Sequence, residues 1–287
     1  MRHHRTFACA AALLIVLSTC SFAQPCSQAT VRGTWGFQGH GTVMVSLPGV
    51  STPVPAPFVA LGTLQIDYQG RYTAHGTASA GGQIQDADWS GSIQVNPDCM
   101  ATDTYNYGSV QSADRFVILN NGNEMRAMPT KFFTGPVAGM YSFRRISWGE
   151  PQCTSQMVRG VYGGTSEGYY MIPVLGQPQP VPTPFSAIFS MTLSPNGSGT
   201  IATTASLAGS VADVQFPDVS MTVKPDCTAI LKRKAQYAGQ SVAGTVRYIV
   251  LNYGNELIGM ETENSTGLPI KLENHKRISM YPMSPDR

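Results

Sequence analysis

The sequence is poor in charged residues and in the residues that build long helices. Only 13% of its 287 residues are Asp, Glu, Lys or Arg, against about 25% in ordinary globular domains. Beyond the N-terminal segment, long runs of Ala, Leu, Glu and Lys are missing, whereas Gly (29 residues) and Pro (20 residues) are plentiful. This composition is typical of short strands joined by tight turns and predicts an all-β protein.

Long apolar runs are also scarce, and the main one lies near the N-terminus. Ala8–Leu17 follows a basic start and precedes the small-x-small pattern Ser21–Ala23. These features predict a secretory signal peptide over residues 1–23, and therefore a secreted or periplasmic protein. In the alternative interpretation, "LSTC" is a lipoprotein box that places a lipid anchor on Cys20. No later run reaches the roughly 18 apolar residues of a membrane helix, so no transmembrane segment is expected.

The chain without residues 1–23 has no excess charge of either sign. It retains 17 Lys and Arg and 17 Asp and Glu, which gives a formal net charge of zero. Nucleic-acid binding needs a basic patch that faces the phosphate backbone, and attachment to anionic lipid needs a basic cluster. The sequence contains neither, so a nucleic-acid partner is not expected.

The same sequence pattern occurs twice along the chain. "CSQATVRGTWGF" from Cys26 returns as "CTSQMVRGVYGG" from Cys153, and "PVPAPF" returns as "PVPTPF" 127 residues later. "LNNGNE" from Leu119 returns as "LNYGNE" from Leu251. Such ordered landmarks indicate a tandem duplication. We therefore predict two copies of one domain, over residues 24–148 and 149–287.

The duplication also suggests how the cysteines pair. Four cysteines remain after residue 23, and each copy has one before its first strand and one after a Pro-Asp turn. Four cysteines allow three connectivities. Only one of these makes each copy self-contained, and it joins Cys26 to Cys99 and Cys153 to Cys227. An even number of cysteines is typical of exported proteins that contain disulfides.

Each copy contains about seven or eight predicted strands. In "WSGSIQV", Trp89, Gly91, Ile93 and Val95 share one face and the polar residues share the other, which is the period of a half-buried strand. Hairpin signals recur, such as Asn121-Gly122. We predict an antiparallel up-and-down β-barrel in each copy, because closure removes edge strands. A two-sheet β-sandwich is the alternative.

One segment of the first copy resembles a known group of proteins. "GTLQIDYQGRYTAHGTAS" (Gly62–Ser79) and the Asp-Cys turn resemble the small eight-stranded barrels of the calycin type and of the allene oxide cyclase and dirigent group. The resemblance covers about half of each copy. It implies a hydrophobic barrel lumen and, in some members, cyclisation or guidance of radical coupling. None of those families' functional residues matches a position here.

Residues that could perform catalysis are few and scattered. The three histidines after residue 23 do not have the spacing of metal ligands, so we predict neither a metal site nor a cofactor. His40 is a candidate base, and Glu124 is a candidate buried acid beside Arg126. With Tyr105 they would form an inward polar cluster. In the alternative, His40 is an exposed histidine, and alternation places Glu124 and Arg126 on the outer face.

Two functions are consistent with these features. The sequence favours a non-catalytic binding or structural module for an apolar small molecule or an extracellular surface component. The alternative is a barrel isomerase or cyclase that acts on a hydrophobic small molecule. An open apolar lumen with converging polar groups would favour binding or catalysis, and a lumen filled by side chains would favour a structural role. The sequence does not indicate the oligomeric state.

Overall fold

The computed structural model describes residues 25–46, 52–132, 135, 137–176, 179–237, 239–265 and 267–280. The predicted signal peptide and Cys20 lie outside these residues. Within the described part of the chain, no helix is long and apolar enough to cross a membrane.

The first half of the chain forms a closed barrel of eight antiparallel strands. Each strand pairs with the next along the chain, and β1 also pairs with β8, with Phe37 opposite Phe143. A short helix, α1 (Gln28–Val31), precedes the first strand. The strands are β1 Gly33–Val45, β2 Val54–Ile66, β3 Arg71–Ala80, β4 Gln83–Val95, β5 Met100–Tyr107, β6 Val110–Leu119, β7 Glu124–Lys131 and β8 Val137–Ser147.

The second half forms a second closed barrel with the same strand order. Here β16 closes onto β9, with His275 opposite Gly164. The predicted fold class, two tandem up-and-down barrels, is therefore confirmed, and the sandwich alternative does not form. The strands are β9 Gly160–Ile172, β10 Val181–Leu193, β11 Ser198–Leu207, β12 Ser210–Val223, β13 Thr228–Tyr237, β14 Gln240–Leu251, β15 Glu256–Asn264 and β16 Leu268–Ser279.

The repeated Pro-Asp-Cys turn has a structural explanation. Cys99 and Cys227 adopt positive φ angles of 65° and 66°, a conformation that costs an L-residue roughly 1–2 kcal/mol. Gly70 occupies the corresponding position in the β2–β3 turn, with a φ of 80°. At these two turns a cysteine replaces the glycine, and each is held by a disulfide, to Cys26 and to Cys153 respectively. This is the pairing that the repeat predicts.

One end of each barrel is closed by an aromatic residue and an arginine. In the first barrel the fully buried Trp35 donates its indole N–H to the Val31 carbonyl oxygen at 2.8 Å. The Arg145 guanidinium lies 4.1 Å from the centre of the Trp35 ring and donates to the Thr30 and Gly122 carbonyls. Tyr162 and Arg277 take the same places in the second barrel.

The outer faces of the two barrels pack against each other. A hydrophobic cluster joins β2 of the first barrel to β14, β15 and β16 of the second; its buried members are Val59, Leu61, Ile249, Leu251, Ile258, Met260, Ile270 and Leu272. A Cβ on Gly36 would lie 2.6 Å from Ile249 Cγ2, so the Ile249 side chain packs directly on the backbone of β1. Arg247 donates to Thr77 Oγ1 and to Asp86 Oδ1, each at 2.6 Å. The second barrel therefore covers one apolar side of the first.

Candidate functional site in the first barrel

The interior of the first barrel contains a cavity of about 600 Å³. Its wall is largely aromatic and includes Phe37, Phe58, Trp89, Phe116 and Phe143. Trp89 meets Phe37 edge-to-face, with ring centres 5.7 Å apart. A cavity of this size, with apolar walls and few polar groups, is typical of small-molecule sites.

The described residues close the cavity at one end and leave it open at the other. Trp35 and Arg145 close one end, where Arg145 also donates to the Thr30 and Gly122 carbonyls. At the opposite end the wall is formed by Ser46, Pro53, Gln83 and Ile84, which are all exposed. These residues lie at the ends of β1 and β4 or in the segments between strands, so a ligand would enter there. Part of the β1–β2 connection, residues 47–51, lies outside the described residues.

Two buried aspartates lie directly opposite each other in the cavity wall. Asp103 on β5 pairs with Asp114 on β6, and they are 5% and 7% exposed. Asp103 Oδ2 accepts a 2.7 Å hydrogen bond from the Tyr72 hydroxyl, and its Oδ1 accepts one of 2.8 Å from the Asp114 backbone N–H. Asp114 Oδ1 is buried and has no hydrogen-bond partner among the described residues. Buried carboxylate oxygens are costly to leave in this state.

The two carboxyl groups hold a proton more tightly than exposed carboxyls do. Burial raises the pKa of Asp114 to about 8, and the negative charge of Asp103 contributes to this rise. Burial also raises the pKa of Asp103 to about 6, although the hydrogen bonds from Tyr72 and from the Asp114 backbone oppose it. Two close carboxyls in an apolar site do not both ionise readily. Near neutral pH the pair therefore carries about one negative charge and one proton.

The tyrosines beside the pair remain protonated hydrogen-bond donors. Burial, followed by the charge of Asp103, raises the pKa of Tyr72 far above its ordinary value. Burial and the charge of Asp114 raise the pKa of Tyr105 and of Tyr141 in the same direction. Among the described residues that line the cavity, none is a lysine, arginine or histidine.

The interior of the second barrel is built differently. It holds the side chains of Arg233, Lys271, Glu261 and Glu273, each at most 5% exposed. Arg233 pairs with both glutamates, and Lys271 Nζ lies 3.1 Å from Glu261 Oε2 and 3.6 Å from Glu273 Oε1. The hydroxyl of Tyr170 donates to Glu261, and that of Tyr248 donates to Glu273. Charges and hydrogen bonds are thus largely matched within the barrel.

This pairing keeps both glutamates ionised. Burial alone would raise the pKa of Glu273, but the charge of Arg233, the hydrogen bond from His275 and the charge of Lys271 hold it well below its ordinary value. Burial would also raise the pKa of Glu261, but the charges of Lys271 and Arg233 lower it below its ordinary value. The interior of the second barrel therefore holds an ion-pair network, whereas the interior of the first holds a cavity.

The structure does not bring the four candidate catalytic residues together. Tyr105 lines the cavity and is 8% exposed. His40 is exposed on β1. Glu124 and Arg126 form an ion pair of 2.7 Å with side chains 25% and 42% exposed, and they alternate with the buried Met125 and Ala127 on β7. The predicted inward cluster of four residues is therefore not formed, and Glu124 and Arg126 lie on the outer face.

The sequence prediction missed Asp103 and Asp114, although a signal for them was present. In "ATDTY" the alternation places Asp103 on the same face as Ala101 and Tyr105, and in "ADRFVI" it places Asp114 with Phe116 and Ile118. A carboxylate on the face that the apolar residues occupy is an exception to the binary pattern and marks a functional candidate.

Within the described residues, no group of three or more His, Cys, Asp or Glu side chains could hold a metal ion.

Comparisons with known proteins add little to this site. No protein-family model matches the chain, and no curated protein matches it. Among solved structures, a protein of unknown function from Nostoc punctiforme aligns with 88% of this chain and 99% of its own, at 11% identity and a TM-score of 0.25. A double mutant of transferrin binding protein B from Haemophilus parasuis aligns with 87% of this chain and 76% of its own, at 6% identity and a TM-score of 0.31. Similarity at this level assigns neither a family nor a ligand to the chain.

Proposed function

We propose that the protein is a binding protein that holds a hydrophobic small molecule inside its first barrel. The observation that carries this proposal is the open cavity of about 600 Å³ with aromatic walls. Burial of apolar surface stabilises a complex by about 25 cal/mol per Å² before the costs of association are subtracted. In this proposal the second barrel is a structural partner, because its interior is occupied by paired charges and its outer face covers the first barrel.

The binding site is tested by filling it. Ala78 lies on β3 and lines the cavity. Ala78→Phe places a ring in the lumen, so we expect it to weaken binding of the neutral dye Nile red at least tenfold in a fluorescence titration. Thr73→Phe adds the same ring at an exposed position of the same strand and serves as the control. Equal affinities of the two variants, or no binding by the wild type, would contradict the proposal.

We also propose that the protein works in an oxidising compartment outside the cytoplasm. Two disulfides support this proposal, because such bonds persist mainly in exported proteins. Residues 1–23 would then be removed as a signal peptide. The intact mass of the protein purified from its natural host tests this: a chain that begins at Gln24 supports it, whereas a lipid on Cys20 supports the anchored alternative and an uncleaved chain supports neither.

The acid pair favours catalysis as a second candidate function. A protonated carboxyl in an apolar cavity can act as a general acid near neutral pH, and Asp103 beside it can accept a proton. A neighbouring acid and base of this kind suit the isomerisation or cyclisation of a hydrophobic molecule, because these reactions do not consume water. To discriminate the two functions, the protein is incubated with hydrophobic compounds that it binds, and the compounds are then analysed by mass spectrometry and chromatography. A product that Asp114→Asn abolishes indicates an enzyme. Recovery of the unchanged compound indicates a binding protein.

A further inference from the structure

Among the described residues that line the cavity, no lysine, arginine or histidine accompanies the acid pair of the first barrel. Asp103 is satisfied by Tyr72 and by the Asp114 backbone, but Asp114 Oδ1 is buried without a hydrogen-bond partner among the described residues. Asp114 is itself 93% buried, since only 7% of it is exposed, and it lines the cavity. Asp114 Oδ1 is therefore an unfilled acceptor on a residue that lines the cavity.

The described groups that line the cavity around the pair include hydroxyl donors but no positively charged side chain. The titratable side chains that face Asp114 are Asp103 and Tyr105 on β5, Tyr72 on β3 and Tyr141 on β8. The second barrel shows how the same scaffold compensates buried carboxylates, because Glu261 and Glu273 there are paired with two cationic side chains. In the first barrel the corresponding cation is missing from the cavity lining. A buried negative charge without a partner is strongly unfavourable.

We propose that the ligand of the first barrel is a hydrophobic amine, whose ammonium group pairs with Asp103 and Asp114 while its apolar body fills the aromatic part of the cavity. This inference rests on the proposed binding function and specifies its ligand class. The ammonium supplies the positive charge that the pair lacks and a donor for Asp114. The rings of Tyr72, Tyr105 and Trp89 also line the cavity and favour a cation near their faces.

Binding of the amine has a consequence for protons. Near neutral pH the Asp114 carboxyl of the ligand-free protein holds a proton, because its pKa is raised to about 8. When the ammonium binds in its charged form, the positive charge lowers the pKa of the pair and the Asp114 proton leaves to solvent. One proton is released for each amine bound, and no bond of the ligand is broken. A neutral ligand of the same shape leaves the proton in place.

The test compares two ligands that differ only in the charged group. We suggest 4-phenylbutylamine and 4-phenylbutanol, titrated calorimetrically into the full-length mature protein at pH 7 in buffers of different ionisation enthalpy. We expect the amine to bind at least tenfold more tightly than the alcohol and to release close to one proton. Asp114→Asn should weaken the amine at least tenfold and leave the alcohol within about twofold. Asp88→Asn, at an exposed position on the outside of β4, should leave both affinities unchanged.

Other results separate the two proposals. If amine and alcohol bind equally well, or if Asp114→Asn does not change the preference for the amine, the inference is wrong and the binding function stands. If neither ligand binds and Nile red does not bind either, the proposed function itself fails. Circular dichroism and Nile red binding verify that Asp114→Asn is folded. Should it not fold, Asp103→Asn provides the same comparison, and a retained preference for the amine in that variant overturns the inference.

Discussion

The two barrels share their framework and differ in what they contain. Each has eight strands, a disulfide from the leading segment to a Pro-Asp-Cys turn, and an aromatic residue with an arginine at the closed end. Inside, Tyr105 of the first barrel corresponds by the repeat to Arg233 of the second, and Tyr141 corresponds to Glu273. The fold depends on the backbone pairing of the strands and on the turns between them. The side chains that point into the barrel can therefore be substituted after duplication without changing the fold.

The difference suggests a division of roles between the copies. Replacement of lumen aromatics by paired charges does not in general stabilise a protein, because each buried charge loses its hydration. The network of the second barrel pairs each of its two glutamates with both Arg233 and Lys271, so its charges need no partner from a ligand. The first barrel keeps apolar walls and an incomplete set of partners for its acid pair. This contrast agrees with the proposal that the first copy binds the ligand and the second supports it.

The largest expected effect comes from breaking the network of the second barrel. Arg233→Met removes the cation that pairs with Glu261 and Glu273 and leaves the glutamates undercompensated. We expect a loss of about 3–5 kcal/mol in the free energy of unfolding, measured by urea denaturation. The control Arg126→Met removes a partly exposed ion pair on the outside of the first barrel and should cost about 1 kcal/mol or less. Similar costs for the two variants would show that the network is not structurally important.

A smaller effect is expected at the contact between the barrels. Ile258 is 1% exposed and belongs to the cluster that joins the two barrels. Ile258→Ala should cost about 2–4 kcal/mol, because it leaves a cavity in a buried contact. Ile188 on β10 is 62% exposed, and Ile188→Ala should change stability by only about 0.5 kcal/mol. If Ile258→Ala is equally mild, the barrels do not depend on each other, and the predicted boundaries at residues 24–148 and 149–287 mark independent folding units.

The smallest effect concerns the pH dependence of the first barrel. The pKa of Asp114 is raised to about 8 in the folded protein, so the folded state binds more protons than the unfolded state at neutral pH. The stability that this group contributes is therefore fully present below its unfolded pKa and is lost as the pH rises through 8. We expect the wild type to lose about 1–2 kcal/mol more than Asp114→Asn between pH 6 and 8. Parallel pH profiles of the two proteins would indicate that the carboxyl is not buried as described.

Much of the framework follows from the sequence, because its signals are local and occur twice. The Pro-Asp-Cys turns, the Asn-Gly hairpins and the alternation of β4 predict strands and turns without knowledge of tertiary contacts. The repeat adds the disulfide pairing, since only one arrangement makes each copy self-contained. The choice of barrel over sandwich depends on the pairing of β1 with β8, and no local signal encodes that contact.

The residues inside the second barrel cannot be identified from the alternation of apolar and polar residues, and the cause is physical. In β16, Ile270 and Leu272 alternate with Lys271 and Glu273, so the binary pattern places the isoleucine and leucine inside. The structure shows the reverse, because the outer face of β16 is buried against the first barrel. Where both faces of a strand are buried, the apolar residues no longer identify the lumen. The acid pair of the first barrel was identifiable, but only as an exception to the alternation.

The most direct test of the contrast between the two interiors is an experimental structure determined under xenon pressure. Xenon enters apolar cavities that have room for it and does not enter space filled by side chains. We expect xenon among Phe37, Trp89 and Phe116 of the first barrel and none within the second. Xenon inside the second barrel, or a first barrel that contains none, would contradict the assignment of the binding cavity to the first copy alone.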